Sequence, residues 1–299
     1  MAMQTDMALE AAARCGDVPG VTQRRERVRG VEITRVCIET PQAAEKLDKP
    51  IGRYVTAERG DGAGGEAFSA VLADELRAML QGVDGHVLVV GLGNRFVTPD
   101  ALGPRTVDGL YVTRHIRAFA PELAPAGMRD VSAVAPGVLG VTGLETAEVV
   151  AALTARVQPK ALLLIDALVS LRADRIGRTV QMNDSGLLPG AGVHNRQKGI
   201  DRGALGIPVF AVGVPTVVHA ETIARETARL LAARTGVAGG EGALADMAAS
   251  LIGSLTGEMV VTPKDVDKLV ADAARQLARA INLALHGALC RELSEILEF

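Results

Sequence analysis

Tryptophan is absent from the 299 residues, and two tyrosines and five phenylalanines are the whole aromatic complement, 2% of the chain. So few ring faces argue against a protein that works by stacking nucleic-acid bases. Neither sign of charge prevails. With 32 Lys and Arg against 35 Asp and Glu the net charge is −3, which gives no general attraction to nucleic acid or to an anionic membrane surface. Cysteine is scarce. Its three copies, Cys15, Cys37 and Cys290, stand far apart without a C-x-x-C spacing, which argues against a disulfide framework and a zinc cluster and fits a reducing cytoplasm. No apolar run reaches the ~18 residues of a membrane helix. At the N-terminus Asp6 and Glu10 stand where a signal peptide would carry its apolar stretch.

Several motifs of known chemistry are also missing. Gly91-Leu-Gly-Asn94 lacks the third glycine of a dinucleotide fingerprint. The glycine-rich run from Gly186 to Lys198 lacks phosphate-loop spacing and reads as a surface loop. No serine sits in a G-x-S-x-G elbow and no cysteine adjoins a histidine, so nucleophilic catalysis has no positive mark. No cofactor is expected.

What is present is 48% hydrophobic residue, mostly small aliphatics, and 33 glycines. Residues 3–14 carry a short helical pattern with little to bury, which reads as an appendage. Gly30 to Ile38 and Arg53 to Ala57 alternate like strands, and Arg24, Arg25, Arg27 and Arg29 read as a solvated face. Glu66 to Leu80 has helical spacing. Val87 to Val90 is a buried strand that Gly91-Leu-Gly-Asn94 breaks, and Asp100 follows on a stiff loop between Pro99 and a Gly-Pro turn. Thr106 to Ala120 has the spacing of one helix. Further strands are expected at Arg129–Val134, at Ala161–Asp166 with the aspartate at its end, at Thr179–Met182 and at Ile207–Pro215, with helices at about 144–157 and 220–233. Residues 236–243 read as a flexible joint. Thr262-Pro-Lys-Asp265 reads as the cap of a long helix over about 263–287.

Strands alternating with helices imply right-handed βαβ crossovers. The expected fold is therefore an open, twisted, mostly parallel α/β sheet with helices on both faces, with extra strands at the N-terminus and a helical region at the C-terminus. In such sheets ligands bind at the carboxyl ends of the strands, and two carboxylates, Asp100 and Asp166, are placed there. Two acids at one edge can share a proton and act as base and acid. Given a third ligand, they could equally hold a metal, and His219 is the histidine at a strand's carboxyl end.

The chain also carries long motifs: Gly91-Leu-Gly-Asn94, Val97-Thr-Pro-Asp-Ala-Leu-Gly-Pro104, Val112-Thr-Arg-His115, Ala135-Pro-Gly-Val138, Gly140-Val-Thr-Gly-Leu-Glu-Thr146, Ile165-Asp-Ala-Leu168, Pro189-Gly-Ala-Gly-Val193 with Asn195-Arg196, Leu205-Gly-Ile-Pro-Val209, Val212-Gly-Val-Pro-Thr-Val-Val218 and Val261-Thr-Pro-Lys-Asp-Val-Asp267. In this order they resemble the germination proteases of endospore-forming bacteria, over residues from about 3 to about 287. The resemblance implies an endopeptidase of the spore core cytoplasm that starts the degradation of small acid-soluble spore proteins. It also implies a self-processing zymogen, a homotetramer, and an atypical aspartic peptidase whose phosphorylase/hydrolase-like fold is shared with hydrogenase maturation proteases. It assigns catalysis to Asp100 and Asp166. Substrate-binding or supporting roles fall on Gly91, Gly93, Asn94, Thr98, Arg114, His115 and Glu145. Thr5-Asp-Met-Ala-Leu-Glu10 resembles the family's processing site, which implies a cut between Asp6 and Met7, a propeptide 1–6 and a single peptidase domain 7–299. The region 236–259 is shorter than the family's. The alternative is a metal-dependent maturation protease that uses Asp100, Asp166 and His219 as ligands.

Overall fold

The computed structural model of the chain describes residues 5–187, 199–235 and 241–297. Most of the glycine-rich loop after Gly186 and the first part of the expected joint, 236–240, lie outside the described residues. In chain order, α1 (Ala8–Cys15) precedes β1 (Val21–Val28), β2 (Val31–Ile38), α2 (Pro41–Leu47) and β3 (Gly52–Arg59). Then come α3 (Gly65–Met79), β4 (Val87–Gly91), α4 (Leu102–Val107), α5 (Arg114–Phe119), β5 (Val131–Val134), α6 (Leu139–Thr142), α7 (Thr146–Val157), β6 (Ala161–Ser170) and β7 (Thr179–Asn183). The chain closes with α8 (Arg202–Leu205), β8 (Val209–His219), α9 (Ala220–Thr235), α10 (Glu241–Thr256), β9 (Val260–Val261), α11 (Val266–His286) and α12 (Cys290–Leu297).

All the strands join one sheet in the order β1-β2-β3-β7-β8-β6-β4-β5, with β9 beside the end of β8. The four strands β5, β4, β6 and β8 are parallel, and the N-terminal trio joins them antiparallel through β7. Val87–Val90 and Leu162–Ile165 are buried on both sides, which is why these runs are apolar without alternation. One face packs Val89, Leu163 and Ile165 against α3 and α11, the other packs Leu88, Leu162 and Leu164 against α7. The expected α/β class holds.

Several local expectations do not. α1 is no appendage, because Met7, Ala8, Leu9, Ala11 and Ala12 are buried against β2, β3 and α2. The arginine run is exposed as expected, but it lies on a strand, β1, at the edge of the sheet. The single helix expected over Thr106–Ala120 is two, α4 and α5. Asn282 of α11 holds the break between them, accepting from the Tyr111 N–H and donating to the Gly109 carbonyl, so the backbone there has partners without a helix. β6 runs four residues beyond Asp166, since β8 continues to pair with it as far as Ser170. Thr262 does not cap α11: its hydroxyl donates to the Thr216 carbonyl, and the helix starts at Val266. Its apolar stripe is placed as expected, with Val270, Ala273, Leu277 and Ile281 buried.

The turn after β4 folds back very tightly. A Cβ on Gly91 would stand 2.3 Å from the Gly103 carbonyl oxygen, and one on Gly103 would stand 2.2 Å from that of Leu92. Gly103→Ala must therefore push backbone from backbone, and a loss of about 1–3 kcal/mol is expected from such overpacking. Gly140→Ala, in α6 with open space around it, should leave Tm nearly unchanged. Thermal unfolding followed by circular dichroism compares the two, and equal shifts would remove the close approach as the cause.

Candidate active site

Asp100 is placed by the loop that this tight turn creates. The Leu92 N–H donates to the Ile165 carbonyl at 2.8 Å, fastening the loop to β6 one residue before Asp166. Gly93 then takes φ +108°, and a Cβ on it would stand 2.1 Å from the Asp100 carbonyl oxygen and 2.8 Å from its Oδ1. Only glycine tolerates both the angle and the approach. A short 3₁₀ turn, Thr98–Asp100, carries the acid, and the Asn94 N–H donates to its Oδ2 at 2.7 Å. Thr98 turns the other way, donating to Asp267 Oδ1 at 2.9 Å and tying the loop to α11.

Asp166 stands in mid-strand on β6, half-buried, and accepts the Ala167 N–H at 2.9 Å. Burial first, then the charges of Asp100 and Asp6, hold its carboxyl well above the ordinary value. Burial also raises Asp100, opposed by the Asn94 N–H. Asp166 thus senses the charge of Asp100.

A third carboxylate, Asp6, also acts on Asp166. Asp6 donates its N–H to the Val169 carbonyl at 3.1 Å and accepts the Val169 N–H on Oδ2 at 2.8 Å. Its carboxyl is raised by burial, against the Val169 hydrogen bond and the charges of Lys49 and His219. The side chain of Gln181 on β7 spans the following bond, with Nε2 donating to the Asp6 carbonyl at 2.8 Å and Oε1 accepting from the Ala8 N–H at 2.6 Å. Glu10 anchors the far end of the segment. Its carboxylate accepts from the Ser170 hydroxyl at 2.6 Å, the Leu171 N–H at 2.7 Å and Arg175 Nη1 at 2.7 Å. At 4% and 12% side-chain exposure this Glu10–Arg175 pair is buried, and breaking such a pair is costly because it strands a charge.

Of the residues chosen from sequence, the structure brings together Asp100, Asp166, Gly91, Gly93, Asn94, Thr98, Asp6 and Met7. Glu145 flanks α7 beyond β5, on the same edge of the sheet. Arg114 and His115 lie elsewhere. They open α5 in exposed positions, and Arg114 lies close enough to His86, which precedes β4, to depress its pKa. They therefore sit at the amino end of a strand whose five residues span roughly 16 Å. Sequence reasoning missed Gln181, Ser170 and Arg175, whose partners in the N-terminal segment are 160 to 175 residues away.

The raised carboxyl of Asp166 has a consequence for stability. A group whose folded pKa is raised favours the fold below the ordinary carboxylate range of about 4, and that support is lost as pH rises through the folded value. Asp166→Asn can still accept from the Ala167 N–H, so at pH 7 it should be more stable, by about 1.4 kcal/mol for each unit of the pKa shift, and should melt at a higher Tm. Near pH 4 it should match the parent. Calorimetry at the two pH values decides, and a less stable variant at pH 7 would contradict the assigned shift.

The family model described as germination protease matches residues 1–242. The germination protease of Clostridium tetani is 38% identical over 99% of this chain and 98% of its own length. That of Caldanaerobacter subterraneus is 39% identical over 99% and 98%, and that of Bacillus subtilis 35% over 96% and 92%. Among solved structures, the [NiFe] hydrogenase maturation protease HycI from Thermococcus kodakarensis is 16% identical and covers 71% of this chain and 98% of its own, with a TM-score of 0.40. With relatives at this identity over nearly the full length, the chain belongs to the germination protease family.

Proposed function

We propose that this peptidase initiates the breakdown of small acid-soluble spore proteins, that it is made as a zymogen cutting itself between Asp6 and Met7, and that Asp100 and Asp166 are its acid–base pair. One observation carries the reading: the residues on both sides of that bond are already seated, by named hydrogen bonds, over the strands that hold Asp166. Asp166, the more strongly neutral of the pair, holds the shared proton, and Asp100 is the ionised partner. Asp100 takes a proton from a water whose oxygen bonds to the Asp6 carbonyl carbon. The carbon–nitrogen bond then breaks, the Met7 nitrogen takes the proton that Asp166 held, and a new carboxyl and a new amine are left, with the water's proton now on Asp100.

The seated segment also explains storage. It fills the cleft at the high effective concentration of a tethered ligand, and its own carboxylate burdens a site already crowded with two. Protonation of Asp6, whose carboxyl burial already raises, removes this repulsion while Asp100 stays ionised to act as base, which makes mild acid the trigger. The metal-dependent alternative has less support, since among the described residues no three His, Cys, Asp or Glu are gathered to hold an ion.

Purified chain held at mildly acidic pH should acquire Met7 as its N-terminus, read by mass spectrometry. Asp100→Asn and Asp166→Asn should slow this by at least ~10²-fold, the usual worth of acid–base catalysis, and should keep native circular dichroism. Equal trimming of parent and variants would attribute the cut to another enzyme. A homotetramer is part of the same reading. Leu230, Leu251 and Leu255, exposed at 65%, 58% and 79% on α9 and α10, offer apolar surface for it. Sedimentation should then give about four times the chain's 31.1 kDa, and Leu251→Asp with Leu255→Asp should give a smaller particle.

A further inference from the structure

Gln181 occupies a position that the site's two acids leave open. In the sheet it lies opposite Gly213 of β8, which in turn lies opposite Asp166 of β6. Directly opposed residues project from the same face, so Gln181 and Asp166 flank a trough two strand spacings wide, roughly 9.5 Å. Gly213 leaves room between them for the Leu168 side chain, since a Cβ there would stand 2.6 Å from Leu168 Cγ and 2.8 Å from the Asp166 carbonyl oxygen. The peptide segment bridges the two sides, bonded to Val169 of β6 and to Gln181 of β7.

Gln181 is only 4% exposed, so its amide needs partners. Both hydrogen bonds that its side chain makes among the described residues go to the segment: Nε2 to the Asp6 carbonyl and Oε1 from the Ala8 N–H. The orientation of the amide is not arbitrary. A backbone N–H only donates and a carbonyl only accepts, so exchanging oxygen and nitrogen would set like against like.

The oxygen that Gln181 touches belongs to the bond whose cleavage is proposed above, and this inference rests on that reading. We infer that Gln181 is a catalytic residue, whose Nε2–H stabilises the oxyanion formed when water adds to the carbonyl carbon, while its Oε1 fixes the peptide by the N–H two residues on. As the water oxygen bonds to carbon, the carbonyl π pair moves onto the oxygen facing Nε2. When the carbon–nitrogen bond breaks, the pair returns. Gln181 neither gains nor loses a proton. A donor already aimed at the place where charge develops needs no reorganisation during the reaction. Because the clamp grips only backbone, it applies equally to any extended chain that replaces the segment.

The test follows the first-order self-processing rate of the full chain from about pH 4 to 7 in the parent, Gln181→Met and Gln181→Glu, with Asp166→Asn as the inactive reference. Hydrogen–deuterium exchange of residues 5–10 reports whether the segment stays seated. Gln181→Met should slow processing ~10²- to 10³-fold at every pH, the usual effect of losing one oxyanion donor. Gln181→Glu keeps an acceptor for Ala8 and regains a donor only when protonated, so its rate relative to the parent should recover as pH falls. A segment still protected in both variants, with that pH-dependent rescue, is the expected result. Gln181→Met within threefold of the parent, or a slow rate explained wholly by an unseated segment, overturns the inference and leaves the two acids in place. A parent chain that never acquires Met7 overturns the reading beneath it.

Discussion

Gly91 and Gly103 meet backbone to backbone, and the carboxyl edge of the sheet is arranged by that contact. Because neither carries a Cβ, α4 can sit directly on the end of β4, and the loop between them turns back over β6. Asp100 reaches Asp166 in this way, through a main-chain approach that no side-chain contact could replace. Gly93 extends the same constraint to the acid itself. The apolar faces of α3 and α11 hold the sheet beneath this turn, so core packing and the placement of the acids are parts of one arrangement.

Much of this was legible in the sequence, for physical reasons. Short β-branched runs punctuated by glycine and proline mark strands buried on both faces, and they marked β4 and β6 with little ambiguity. The acids beyond them were legible because charge is rare at such places. What escaped depends on partners distant in sequence. α1 has a weakly apolar composition, and burying it requires Glu10 to meet Arg175, 165 residues away. The break between α4 and α5 depends on Asn282, again far along the chain. Asp166 was expected at a strand's end because polarity usually marks an end, yet β8 keeps pairing beyond it. Gln181 was read only as part of a strand. A polar residue at the centre of a five-residue strand with both neighbours paired was the available clue.

The N-terminal segment links folding to chemistry. Met7 is fully buried and Glu10 is locked by hydrogen bonds from two elements of the sheet's edge, so the docked segment contributes to stability as well as occupying the cleft. The same contacts fix the backbone from Asp6 to Ala8 against β6 and β7.

The two margins of the sheet are protected by different means. β5 is four residues long, too short to recruit much. β1 is twice that length, fully paired on one side with β2 and open on the other, with Arg24, Arg25 and Arg27 along its exposed surface. An open ladder of this length invites another chain to add itself, and crowded positive charge makes that addition unfavourable. These arginines make the long open edge a poor template for further strands.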